Sequence, residues 1–231
     1  MQYFKPFTYF VSKKPGGWMN LLYGAVCVLI PVIGPIVLLG YRAEMAEDLD
    51  RDPRLEEYPN FDFNRFIDYL TRGIWPFLMQ LIVGVGSMAL MLVVAVAGFV
   101  AYKATDEPVV GFSVGGLLFI PVMLLSILVL WPMELHTQLS GKFEFGQALS
   151  FMSRMLGRVW GQAILAALAL WFLGSVVVLL GYAACFVGVY PAMVIVGMAE
   201  QHLIGQLYRL YLDEGGVPIG VPLEKLEIDE E

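Results

Sequence analysis

Three stretches of this chain, residues 73–102, 108–133 and 159–199, contain no charged side chain at all. A helix needs only about 20 apolar residues to cross a hydrocarbon core of roughly 30 Å. Each stretch exceeds that length, and no soluble core of this size demands such runs. The third stretch would reach about 62 Å as one straight helix, so it must fold back on itself. Gly181, Gly188 and Pro191 mark the expected turn region. One helix is expected at about 160–180 and another at about 184–203. Residues 73–102 and 111–135 form another expected pair, joined by the polar loop Lys103-Ala104-Thr105-Asp106-Glu107. Trp75, Tyr102 and Trp131 fall near the expected span ends, where amphipathic rings prefer the membrane interface.

The first apolar run, residues 18–41, has two readings. It is long enough to cross once, but Pro31 and Pro35 stand in its middle and remove two backbone donors. The other reading is a short hairpin that enters and leaves on one side. Basic residues discriminate between them. With a hairpin, 13 of the 14 Lys and Arg residues lie on one face, whereas a single crossing divides them 10 to 4. The positive-inside tendency favours the hairpin, with both termini cytoplasmic.

A sequence repeat supports the same reading. Phe61-Asp62-Phe63 with Tyr69-Leu70-Thr71-Arg72 is matched 82 residues later by Phe143-Glu144-Phe145 with Phe151-Met152-Ser153-Arg154. A weaker third copy has Phe4 and Phe10-Val11-Ser12-Lys13. Each copy precedes an apolar run. Phe63, Phe66, Ile67 and Leu70 share one helical face, as do Phe145, Leu149, Met152 and Leu156, so these segments are expected as amphipathic helices lying along the interface.

The expected fold class is therefore an all-α, polytopic helical membrane protein. It has four full transmembrane helices, a short proline-broken membrane hairpin, three interfacial amphipathic helices and an internal repeat. Residues 1–212 make a single membrane domain with units at about 1–50, 61–140 and 143–212. Residues 213–231 form a flexible acidic tail, expected either as a docking peptide or as a solubilising end.

Charge restricts the partners. The net charge is −7, with nine acids between Glu44 and Asp68 and seven between Asp213 and Glu231. Nothing resembles the basic cluster that nucleic acid requires. Cys27 and Cys185 lie in apolar runs and read as small hydrophobes. No phosphate-binding glycine loop, nucleophile elbow or HExxH is present, and no cofactor is implied.

Candidate site residues are few. Glu134-Leu135-His136 and Glu200-Gln201-His202 repeat an acid-x-His pattern and hold both histidines of the chain. With Glu44 they could form a metal or proton site at the cytoplasmic face. Residues two apart on a helix differ by about 200°, however, so acid and histidine cannot face one ligand together. The favoured reading is that each Glu marks a solvated helix exit, and no catalytic, cofactor or metal residue is assigned. The alternative is that the acids point inward and carry function. Gln80 and Gln162, also 82 apart, are placed to hydrogen-bond between helices.

The run Ile30-Pro31-Val32-Ile33-Gly34-Pro35 followed by Leu39-Gly40-Tyr41 resembles the signature of a bacterial and archaeal membrane family, "domain of unknown function 4013" (DUF4013). Leu55-Glu56-Glu57-Tyr58-Pro59-Asn60-Phe61 fits the acidic loop that follows in that family. The resemblance covers about residues 5–210. It implies membrane location and transfers no catalytic or binding residue. The expected function is a non-enzymatic scaffold or accessory subunit in the inner membrane. Its partners would be lipid, a protein at the cytoplasmic face or C-terminal tail, or further copies of itself. A small transporter or channel is the alternative.

Overall fold

The computed structural model describes residues 1–9, 16–52 and 58–220. They form six α-helices, with no strand among the described residues: α1 (Gly16–Leu29), α2 (Ile33–Arg51), α3 (Phe66–Thr105), α4 (Pro108–Ser140), α5 (Phe145–Ala183) and α6 (Val189–Asp213). Short 3-10 turns occur at Lys5–Phe7 and Phe63–Arg65.

Residues 18–41 are not one straight helix. After α1 the backbone turns through residues 30–32, and Ile33 N–H donates to the Pro31 carbonyl at 2.8 Å. Val32 at the apex has φ 65° and ψ −59°, a γ-turn conformation that a β-branched residue rarely adopts. The direction change is fixed further down, where Asn20 Nδ2 donates to Tyr41 Oη at 3.2 Å. A continuous helix would hold those residues about 30 Å apart. Near the apex, Gly34 passes so close to the Cys27 carbonyl that no side chain fits between α1 and α2.

Three helices are long and apolar enough to cross a membrane, those within residues 63–105, 108–140 and 145–183, with mean hydropathy of 2.5, 2.5 and 2.7 in their most apolar windows. The fourth expected span, α6, is not among them. It starts at Val189, and Glu200, Gln201 and His202 interrupt its apolar sequence. The turn before it falls at residues 184–188, between Gly181 and Pro191, so that α6 starts about five residues later than expected.

The expected surface helices differ from the structure. Residues 66–72 are the first turns of the 40-residue α3, which continues without a break past Pro76. The packing explains why. Gly40 of α2 lies against the Tyr69 carbonyl, and Gly73 of α3 lies against the Ile36 carbonyl, so α2 holds this part of α3 in line with the rest. In α5 there is a break. Val159, with φ −119° and ψ 23°, kinks the helix where the amphipathic part gives way to the apolar part. The third copy's residues 10–13 lie outside the described residues. Pattern-equivalent Tyr69 and Phe151 are both fully buried, in separate apolar clusters.

The core sits at one end of the molecule. One cluster joins Phe151, Met155, Val159, Ala163, Leu203, Leu207 and Tyr211 between α5 and α6, with Trp131 and Leu135 of α4. Another joins Val37, Tyr41 and Met45 of α2 with Leu21, Phe61, Tyr69 and Met198. Beyond these clusters α3 and α4 run on as a bare pair. Only 6% and 0% of their most apolar windows is buried, against 28% in α5. The upper turn of this pair is made by Asp106 with φ 56°, followed by Pro108 in the first turn of α4, where its missing N–H costs nothing. Residues 214–220 fold back along α6, with Val217 N–H on Tyr211 Oη and Ile219 N–H on Tyr208 Oη, each at 3.0 Å. Residues 221–231 of the expected tail lie outside the described residues.

Candidate functional site

A buried polar network joins four helices where the two clusters meet. Its centre is Arg42, the residue after the Gly40-Tyr41 pair on α2. Arg42 Nη2 lies 3.1 Å from Glu134 Oε1 of α4 and 2.8 Å from Glu200 Oε2 of α6. Its Nε donates to Gln201 Oε1 at 3.2 Å.

Donors from three residues complete the shell around the acids. Gln80 Nε2 of α3 donates to Glu134 Oε2 at 2.8 Å, and Gln138 Nε2 donates to Glu134 Oε1 at 2.8 Å. Trp131 Nε1 donates to Glu200 Oε1 at 2.7 Å. Gln138 and Gln201 also exchange bonds, Nε2 to Oε1 in both directions, at 3.1 and 2.8 Å. Glu134 and Gln201 are fully buried, and Gln138 nearly so.

The arrangement is a charge problem solved by geometry. Two carboxylates share one guanidinium, so the group has a formal charge of −1. Each of the four carboxylate oxygens faces at least one nitrogen, although Arg42 Nη2 meets Glu134 and Glu200 as an ion pair without an aligned hydrogen bond. A buried charge is tolerated only when it is paired and its remaining lone pairs are satisfied. With Arg42 on α2, Gln80 on α3, Glu134 on α4 and Glu200 on α6, the network fixes four helices at one level. A cavity of about 200 Å³ borders it, lined by Val28, Pro35, Leu39, Arg42, Gln80 and Met198 among others.

A second polar group locks the α1–α2 turn to the chain that follows. Asn20 Oδ1 accepts from Phe61 N–H at 2.7 Å, and its Nδ2 donates to the Pro59 carbonyl at 2.8 Å. Tyr41 Oη donates to the same carbonyl at 2.7 Å. Nearby, Tyr58 Oη donates to the Pro6 carbonyl at 2.9 Å, and burial, with the neighbouring Tyr9, pushes its phenol above the ordinary range.

The five residues of the expected metal or proton site are only partly brought together. Glu134 and Glu200 converge. Glu44 instead takes Arg65 Nη1 at 2.6 Å. His136 turns to Phe151, with ring centroids 5.9 Å apart, and His202 turns to Tyr9 at 4.8 Å. Acid and histidine thus leave each helix on different sides, as the 200° spacing requires. Among the described residues no group of three or more His, Cys, Asp or Glu is placed to hold a metal ion.

One reading from sequence is corrected here. Glu134 is not a solvated exit marker, because its side chain is 1% exposed, and Glu200 at 22% is mostly covered. Gln80 does hydrogen-bond between helices, and its partner is Glu134. Arg42 escaped sequence analysis altogether. The available signal was electrostatic. An acid at the end of a charge-free run needs a cation, and Arg42 stands at the corresponding end of the first run.

These features define an all-helical protein with three membrane-compatible helices and an ion-paired network at one end. The chain belongs to the family described as "Protein of unknown function (DUF4013)", whose family model matches residues 23–187. That range includes Arg42, Gln80 and Glu134 and stops before α6. No curated protein and no solved structure matches the chain.

Proposed function

We propose that this chain is a non-enzymatic, multi-pass scaffold or accessory subunit of the cytoplasmic membrane, organising a protein partner or lipid at the inner leaflet. In this reading α3 and α4 cross the bilayer fully, the α5–α6 hairpin enters it from the cytoplasmic side and returns, its α6 arm reaching only about 17 Å from Val189 to Glu200, and α1 and α2 likewise enter and return on the cytoplasmic side, where both termini lie. The 14 residues of α1 reach about 21 Å, short of the roughly 30 Å hydrocarbon core. The starts of α3 and α5 then face one leaflet.

The observation that carries the proposal is the level of the network. Glu134 stands 26 residues after Pro108, about 39 Å along α4 from the charged turn at residues 103–107. With that turn among the headgroups of one leaflet, the network reaches the opposite headgroups and not the midplane. Substrate and ion sites of transporters characteristically lie near the midplane. An ion-paired clamp at the cytoplasmic end instead rigidifies a surface. Exposed Asp50, Asp52 and Asp68 lie on that same end.

A transporter is the second reading, favoured by the cavity beside Arg42 and Gln80. Proteoliposomes decide between them. The scaffold predicts no ion flux above empty vesicles. Flux that disappears in Gln80→Leu with Gln162→Leu would establish transport instead. For orientation, a cysteine introduced at Thr8 in a Cys27→Ala, Cys185→Ala background should react with an impermeant maleimide only after the cells are opened, whereas one at Ala104 should react in intact cells. The opposite pattern reverses the orientation.

A further inference from the structure

The upper half of the α3–α4 pair carries an open apolar groove of about 900 Å³, well away from the polar network. Val94, Gly98, Phe99 and Tyr102 line one wall, and Phe112 and Phe119 line the other. The lining on α4 runs from Pro108 to Phe119, about 17 Å along the helix. One leaflet of hydrocarbon is about 15 Å deep. The groove therefore begins at the charged turn and ends near the depth where an acyl chain ends. A partner helix crossing the bilayer would need a groove along the whole pair.

The mouth carries charge suited to a headgroup. Lys103 is the only cation among residues 73–141. Its Nζ sits 5.9 Å from the Phe99 ring centroid and 5.4 Å from that of Tyr102, and both rings line the groove. The ammonium is thus placed at the rim. Among the described residues no carboxylate lies within ion-pair distance of it. Asp106 and Glu107, both exposed, follow in the same turn. The turn offers one positive and two negative side chains at headgroup level.

We propose that this groove is a phospholipid site, taking one acyl chain of a lipid whose phosphate meets Lys103 and whose primary ammonium meets Asp106 or Glu107. A phosphate accepts from the lysine ammonium, and a primary ammonium brings N–H donors to the carboxylates. An anionic headgroup without an amine would face two uncompensated acids. The inference goes beyond the scaffold reading. It requires only that the α3–α4 pair crosses a bilayer, in either orientation.

The test is native mass spectrometry of the purified full chain after delipidation, titrated with phosphatidylethanolamine, phosphatidylglycerol or phosphatidylcholine. The wild type should retain one phosphatidylethanolamine, at least fivefold more readily than either other lipid. Lys103→Gln should remove most of that preference. Gly116 lines the groove between Phe112 and Phe119, and Gly116→Leu should block retention without lowering the melting temperature, because no atom lies within 4 Å of the position its Cβ would take. Gly115→Ala, at an equally open position, serves as a milder second variant. Equal retention of all three lipids, or retention unchanged in Lys103→Gln and both glycine variants, overturns the proposal. So does a Gly116→Leu variant that turns dimers into monomers in mass photometry while still holding lipid, since the groove would then seat a second copy. Release of the chain from membranes by alkaline carbonate would mark failure of the membrane reading itself.

Discussion

The two ends of the α3–α4 pair are built for different surroundings. At the lower end Gly40, Tyr69 and Gly73 bring α2 and α3 into backbone contact, and Gln80, Glu134 and Arg42 tie them to α4 and α6. At the upper end the same two helices touch each other through Gly98 and Gly111 and otherwise face outward, with Phe112 83% exposed. In water such a surface would aggregate. In lipid it needs no partner, because the acyl chains are as apolar as the side chains. The lower end is specified by particular atoms in particular places, and the upper end by composition. A substitution should therefore cost much below and little above.

The largest effect is expected at Arg42. Arg42→Ala leaves the buried Glu134 and the mostly covered Glu200 without their cation, a loss of about 3–5 kcal/mol for an unpaired buried charge. Thermal unfolding in a mild detergent should show it as a large fall in the midpoint. Arg42→Met combined with Glu134→Gln and Glu200→Gln should recover much of that fall. If it does not, packing and not charge is what Arg42 supplies.

Gly40→Ala comes next. Its Cβ would overlap the Tyr69 carbonyl oxygen, which as backbone cannot swing aside. Overpacking of this kind costs typically about 1–3 kcal/mol. Detergent unfolding should register that loss, and cross-linking between α2 and α3 should weaken. A neutral Gly40→Ala would mean that the two helices separate easily.

Asn20→Ala should cost about 1–2 kcal/mol by leaving the Phe61 N–H without its acceptor. Faster hydrogen exchange at that amide would locate the loss. At the small end, Gly84→Ala and Gly86→Ala in the outer part of α3 meet nothing within 4 Å and should move stability by no more than about 0.5 kcal/mol. A large effect there would show that the upper end packs against something in the membrane.

The same contrast explains what the sequence disclosed. The long apolar runs predict α3, α4 and the upper part of α5, because a charge-free run of that length has few other solutions. Pro31 and Pro35 point to the turn at residues 30–32, since missing donors and ring clashes leave marks that composition alone can show. The lower end was harder to read. Whether Glu134 faces water or protein depends on where Arg42 and Gln80 arrive in space, and they come from positions 92 and 54 residues away. The amphipathic pattern of residues 63–70 was visible, but not that α3 would continue straight through it. That outcome depends on Gly40 fitting against Tyr69.

The lock on the first turn bears on how the protein is made. Asn20 and Tyr41 draw their partners from Pro59 and Phe61, 39 and 41 residues downstream of Asn20. While the ribosome is still extending the chain, α1 and α2 emerge before the groups that fasten them. The opening segment therefore waits, half-assembled, until the start of α3 is synthesised and can close over it.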